Sequence, residues 1–464
     1  MPSIEKLREY TNNVCSQIRW KKAREAVSEE IHSHLMDQRE TYLQEGASED
    51  KATEQAIADM GDPVAVGTQL DRVHRPKPQW GMLGLILAMV VVGILLQVLV
   101  QNDIATRFRT PIMVGYQFKF ALIGLAVLAI AYIIDFSIIG KHPKTTYIAI
   151  LCLFLISLFI SPLRGGAPYY ATYCSLLFPL AISGMVYAMR GEGYWGITVC
   201  VGAILFPAAL AWMVPTVAGF VLTITCGMVI LGIAISKNWF QANKLRSYLW
   251  AYLPFLGATL LFASTLLRTP YNVERLRNFL HPESDPQGGG YVALVVRSLL
   301  ENAKLWGSGT IPQRFAESQS FPLPSIHSDL MLTYLIFRLG WIPFGLIVAL
   351  LVIFIVHSYK QCWRQKSVLG QLVSYSVLLT FALQTFHHIM YNTGFLLFAP
   401  LSLPLISYGL GGMAINMGLL GLMLSVFRNG SAARDRALSS SAKQPFITWR
   451  ERKLVIDFGR KHGE

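Results

Sequence analysis

Residues 81–101 read GMLGLILAMVVVGILLQVLVQ, a stretch without a single charge. A helix that crosses the hydrocarbon of a bilayer needs roughly 20 such residues, because lipid offers no partner to a backbone N–H or C=O. Working outward, further apolar runs lie at 118–140, 145–163, 170–189, 247–267 and 330–356. Residues 193–236 and 367–427 are uncharged and each long enough for two spans, the first broken near Pro207 or Pro215. The pattern predicts an all-α, polytopic membrane protein with about ten transmembrane helices. Composition agrees: 53% of the chain is hydrophobic and 14% charged, with a mean hydropathy of +0.43. That balance excludes an ordinary soluble domain.

Charge is placed unevenly. Residues 1–80 hold 11 Lys+Arg against 14 Asp+Glu, a net of −3, whereas the whole chain is +13, so the remainder carries +16. A basic excess can mark nucleic-acid binding. Here it sits mostly in the short segments Lys141–Lys144, Arg190–Glu192, Lys237–Arg246 and His357–Lys366 and in a basic tail, 429–464. The reading is therefore no nucleic acid, with these loops and both termini on the cytoplasmic side of the plasma membrane. No signal peptide is expected ahead of the charged first segment. The tail, with its Ser/Ala run at 438–442, reads as lacking regular structure or lying on anionic lipid. The six scattered cysteines read as buried apolar thiols.

Residues 1–76 read as a small cytoplasmic helical domain. Ile4, Leu7, Val14 and Ile18 share one helical face, as do Val27, Ile31 and Leu35. Ser48 is a candidate N-cap, and Gly61-Asp62-Pro63 ends one helix and starts the next.

One long polar segment, 268–329, interrupts the spans, and charge places it outside. Its last residue, Asp329, follows His327-Ser328 at the mouth of the expected eighth span. A carboxylate there is partly desolvated, which suits a general base; the same position also suits a helix N-cap. Arg275 and Arg277, beside Glu274, could hold a phosphate through planar donors or anchor the chain at the interface. Trp306-Gly307-Ser308-Gly309 reads as a turn or a close backbone approach. His387-His388 read as hydrogen-bonded bundle histidines rather than a metal site. Leu403-Pro404-Leu405-Ile406-Ser407-Tyr408-Gly409 implies broken backbone at membrane depth, tolerated only where protein satisfies its polar groups.

Together these segments resemble the shape, elongation, division and sporulation family of FtsW, RodA and SpoVE. The resemblance rests on Pro270-Tyr271, Arg275-Leu276, Phe279-Leu280, Pro282, Asp285 and Gly290-Tyr291, then Gly307-Ser308-Gly309, Leu323-Pro324, His327-Ser328-Asp329 and Ser402 to Leu410, with Gln384 ahead of the last. It implies a glycosyltransferase that polymerises lipid II into peptidoglycan outside the membrane, in division, elongation or sporulation, beside a class B penicillin-binding protein. It further implies Asp329 as the catalytic base and Arg275, His327, Ser407 and Tyr408 as substrate contacts. A divalent cation, Mg or Mn, is expected with the pyrophosphate, and no organic cofactor. The first domain resembles a permease-type helical prefix, and two readings of it stay open: a docking site for a cytoplasmic regulator and a passive folded appendage.

Departures are confined. The stretch Ala167 to Cys174 lacks the family's Glu and Lys, Phe337-Arg338 stand where it has an acidic pair, and Ser402 replaces a Pro. Two other readings therefore stay open: a flippase for a lipid-linked precursor, which would want ionisable groups such as Asp135, Arg338, His387 and His388 along its spans, and a non-catalytic scaffold recruiting a penicillin-binding protein.

Overall fold

The computed structural model describes residues 2–74, 79–105, 113–164, 167–213, 217–311, 323–396, 400–429, 447–450 and 453–456. Among the described residues ten helices are long and apolar enough to cross a membrane: Trp80–Gln101, Val114–Ile133, Pro143–Ile160, Tyr169–Ala188, Gly193–Met213, Val217–Ser236, Lys244–Thr265, Trp341–Trp363, Val368–Asn392 and Leu410–Asn429. The protein is a multi-pass helical membrane protein.

The spans are not equivalent. The fourth, ninth and tenth are 78%, 72% and 67% buried, whereas the third and seventh are each 11% buried. The most buried helices also carry the polar side chains, as expected where only protein can satisfy them. Small residues set the close approaches. A Cβ on Gly124 would come within 2.8 Å of Met413 on the tenth span, and one on Gly421 within 2.5 Å of the Leu128 carbonyl. The second and tenth spans thus run side by side in the same direction.

Several expectations are refined. Pro207 lies inside the continuous helix Gly193–Met213, and Pro215, the other expected break, lies outside the described residues. The second span ends at Ile133, and the Asp135 carboxylate accepts from Ser137 N (3.1 Å) to start the short helix Ser137–Lys141. The largest correction concerns 330–356, which is two helices. Met331–Leu339 is a short, almost wholly buried helix, and the eighth span begins at Trp341. Gly340 separates them at φ +102°, a conformation natural to glycine. Its Cα faces the Leu305 carbonyl, which a Cβ would meet at 2.6 Å. Gly307 N and Gly309 N donate to the carbonyls of Leu339 and Phe337 (both 2.8 Å). The Gly-Ser-Gly segment is thus a close backbone approach that ties off the buried helix.

The first segment forms helices Pro2–Ser16, Lys21–Gln44, Glu49–Met60 and Pro63–His74 around Leu7, Tyr10, Val14, Ile18, Val27, Ile31, Leu35 and Ala56. Ile4 stays out of this cluster at 53% exposure, and Tyr10 fills the face instead. Ser48 occupies the N-cap position without a side-chain cap, whereas Asp62 Oδ2 accepts from Ala65 N (2.9 Å). In the tail, Ile447–Arg450 pairs antiparallel with Lys453–Ile456, contrary to the expectation of no regular structure; both strands are rich in β-formers.

Candidate active site

The site is built where two irregular segments hook together. Ser325, at φ +49°, turns the chain so that its carbonyl accepts from Ser328 N, Asp329 N and Leu330 N (3.0–3.2 Å). His327, Ser328 and Asp329 then stand half-buried on the turn ahead of the buried helix. The second segment, Leu401–Tyr408, is almost wholly buried between the ninth and tenth spans. It satisfies its own backbone: Ser407 Oγ accepts from Leu403 N (2.9 Å), and Ser407 N donates to the Leu403 carbonyl (3.1 Å). Leu405 takes φ +64° at the apex. Gly93 on the first span allows the approach, since a Cβ there would lie 2.9 Å from Ile406 Cα.

The segments join through backbone groups. Tyr408 N donates to the His327 carbonyl (3.2 Å), and Ser407 Oγ donates to the Ser328 carbonyl (3.3 Å). Gln97 Nε2 also donates to the His327 carbonyl (3.0 Å). The His327 and Tyr408 rings meet edge to face at 5.7 Å. Beneath them, Asn392 Nδ2 donates to the carbonyls of Asp329 and His388 (both 2.9 Å), while its Oδ1 accepts from Thr333 N (2.9 Å). His388 Nδ1 lies 2.9 Å from the Leu401 carbonyl, and His387 Nδ1 accepts from Leu401 N (3.2 Å). The histidine pair thus holds both backbone groups of one residue, Leu401. Gln384 and Asn416 exchange side-chain bonds (3.0 and 3.3 Å) deeper in the same core.

Asp329 is not the N-cap of Met331–Leu339: Leu330 occupies that position, and Asn392 Oδ1 takes the Thr333 N–H of the first turn. Arg275 lies elsewhere, on the helix Pro270–Leu280. It lines a cavity of about 440 Å³ with Glu274, Asn278, Phe279, Asp285 and Tyr391. Asp329 is not among the described lining residues. Tyr391 connects the two: it lines the cavity and lies within electrostatic reach of both Arg275 and Asp329. Tyr173, in the stretch lacking the family's Glu and Lys, is also within electrostatic reach of Asp329, and its hydroxyl is 3.3 Å from that of Tyr169.

The sequence brought out His327, Asp329, Ser407 and Tyr408, and the fold places them together. It did not bring out Asn392, Tyr391 or Tyr173. The available signal for Asn392 was its spacing, four residues after His388, which continues one buried polar face through Ser376, Thr380 and Gln384.

The donor set fits a cation shared with a phosphate better than a resident metal. Asp285 already accepts from Gly288 N (3.1 Å) and Gly289 N (2.6 Å), leaving Glu274 as the cavity carboxylate without such a role. Among the described residues no group of three or more His, Cys, Asp or Glu could hold an ion. Mg²⁺ commonly binds one or two carboxylates together with a substrate's phosphates.

These features define a polytopic membrane protein with a carboxylate-bearing site at the ends of its most buried helices. The chain belongs to the cell cycle protein family of FtsW, RodA and SpoVE, whose model matches residues 79–432. It is 23% identical over 368 residues to the probable peptidoglycan glycosyltransferase FtsW of Moranella endobia, covering 74% of this chain and 92% of that one. It is 23% identical over 321 residues to stage V sporulation protein E of Bacillus subtilis, covering 66% and 84%. Several other curated relatives are matched over about half their length: for FtsW of Idiomarina loihiensis the match is 27% identical, covering 38% of this chain and 44% of that one. Among solved structures, a chain of a peptidoglycan synthase complex that coordinates polymerization and crosslinking shares the fold at a TM-score of 0.58 and 17% identity, covering 76% of this chain and 98% of that one. A mutant of the rod shape determining protein RodA of Thermus thermophilus does so at a TM-score of 0.50 and 16% identity, with the same coverage.

Proposed function

We propose that the protein is a peptidoglycan glycosyltransferase that polymerises lipid II at the outer face of the bacterial cytoplasmic membrane, with both termini inside. The observation that carries this reading is the placement of Asp329. It is half-buried, fixed through its backbone by Asn392 and the Ser325 turn, and linked by Tyr391 to the cavity of Arg275. In the proposed step Asp329 takes the proton of the acceptor sugar hydroxyl. The freed oxygen bonds the donor's anomeric carbon, and the bond from that carbon to pyrophosphate breaks, its electron pair leaving on the undecaprenyl pyrophosphate. Arg275 suits the leaving group's charge because a guanidinium binds phosphate oxygens in pairs. His327, Ser407 and Tyr408 would shape the acceptor side. Glu274 is the residue we assign to a divalent cation, Mg or Mn, arriving with the pyrophosphate, where it would neutralise developing charge.

The flippase reading loses support from the same geometry. His387 and His388 are engaged with Leu401, Asp135 begins a helix between spans, and Arg338 ends the short helix ahead of the eighth span. Ionisable groups along a head-group path are therefore few among the described residues. The scaffold reading draws on the altered 167–174 stretch. A class B penicillin-binding protein is the proposed partner in either case, and the prefix domain is the proposed contact for a cytoplasmic regulator. The deciding experiment supplies lipid II to purified protein, with and without a penicillin-binding protein, and compares Asp329→Asn. Glycan chains from the parent and none from the variant support catalysis; full polymerisation by the variant ends it.

A further inference from the structure

A second groove does not include Asp329 among its lining residues. It measures about 860 Å³ and lies between the fifth and seventh spans, lined by Tyr194, Thr198, Val201, Arg246, Trp250 and Leu253 among others. The seventh span is only 11% buried, so this groove opens onto lipid. Trp250 Nε1 donates to Thr198 Oγ1 (3.0 Å), which joins the two helices and satisfies both polar groups. What remains is an apolar trough, with Leu253 at 68% exposure, and one cation at its end.

Among the described residues that cation takes part in no ion pair, and the sequence has no Asp or Glu between Glu192 and Glu274. Lys237 and Lys244 add positive charge on the same connecting segment. A guanidinium at a membrane interface, beside Tyr194 and Trp250 and at the head of an apolar trough, is complementary to a phosphate esterified to a hydrocarbon chain.

We propose that this groove is a binding site for an anionic phospholipid, its phosphate on Arg246 and an acyl chain along Val201 and Leu253. A zwitterionic lipid carries its own ammonium beside the phosphate and gains little from the Arg246 guanidinium; an anionic one gains its full attraction. The site is independent of the proposed glycosyltransferase reaction.

The test is native mass spectrometry of the purified full chain with phosphatidylglycerol or phosphatidylcholine of identical acyl chains. The parent should retain phosphatidylglycerol about tenfold better, the scale of one charge-assisted contact. Arg246→Gln, at an exposed position, should bring the ratio to about one while both lipids still bind. Leu253→Trp, which fills the trough, should lower retention of both. Equal retention by the parent identifies ordinary annular lipid and overturns the proposal, as does a preference that survives Arg246→Gln. An isoprenoid phosphate that displaces phosphatidylglycerol at equal mole fraction overturns the assignment to phospholipid.

Discussion

The turn that carries Asp329 and the helix that carries Arg275 are held in contrasting ways. The turn Ser325–Asp329 is fastened to the bundle core, because Gln97 of the first span, Asn392 of the ninth and the Leu401–Tyr408 segment reach it and bond its backbone. The helix Pro270–Leu280 is held by near neighbours in sequence: Asp285 takes the N–H groups of Gly288 and Gly289, and Gly289 closes on the Asn278 side chain. A group that must meet a hydroxyl at hydrogen-bond distance needs fixed geometry, whereas a group that meets a diffuse phosphate charge tolerates adjustment. The contrast predicts that changes at the turn act on turnover and those at the helix on apparent affinity.

The largest effect is expected for Asp329→Asn, a loss of at least about 100-fold in polymerisation with membrane insertion unchanged. If the variant retains turnover, the turn is not the catalytic wall. Next comes Asn392→Ala, which strips partners from Thr333 N and the Asp329 carbonyl. Each buried group left unpaired costs roughly 1–3 kcal/mol, so both melting temperature and kcat should fall. Gly93→Ala follows: its Cβ must displace Ile406, and kcat should drop with little change in KM. Arg275→Ala should raise KM for lipid II about tenfold, with Arg275→Lys intermediate because an ammonium keeps the charge but not the paired donors. A kcat loss with KM unchanged would reverse the assignment of the helix. The smallest effect is expected for Asp285→Ala, about 1 kcal/mol of local stability and a modest rise in KM, readable as faster hydrogen exchange at Gly288 and Gly289.

Much of this protein is visible in one dimension, because lipid imposes a rule that acts on each segment alone. An uncharged run such as 81–101 must become a helix whatever surrounds it, and the odd residues of 403–409 must break one. The same logic marked Asp329 and the Gly-Ser-Gly approach. Hydropathy could not show that 330–356 is two helices, because the buried helix Met331–Leu339 is as apolar as a span and only the contact of Gly340 with Leu305 reveals the break. Nor could it rank the spans: the third and seventh face lipid and the fourth and ninth face protein, yet all are apolar. The sequence by itself determined the number of crossings, since that follows from local transfer energies, and its resemblance to the family marked the candidate site residues. Only the tertiary structure decided that Asn392, four spacings along a buried polar face, holds the turn that carries Asp329, and that Tyr391 shares a cavity with Arg275. Those relations depend on which helix faces pair, and pairing between apolar helices in lipid is set by packing and hydrogen bonds rather than by hydrophobicity.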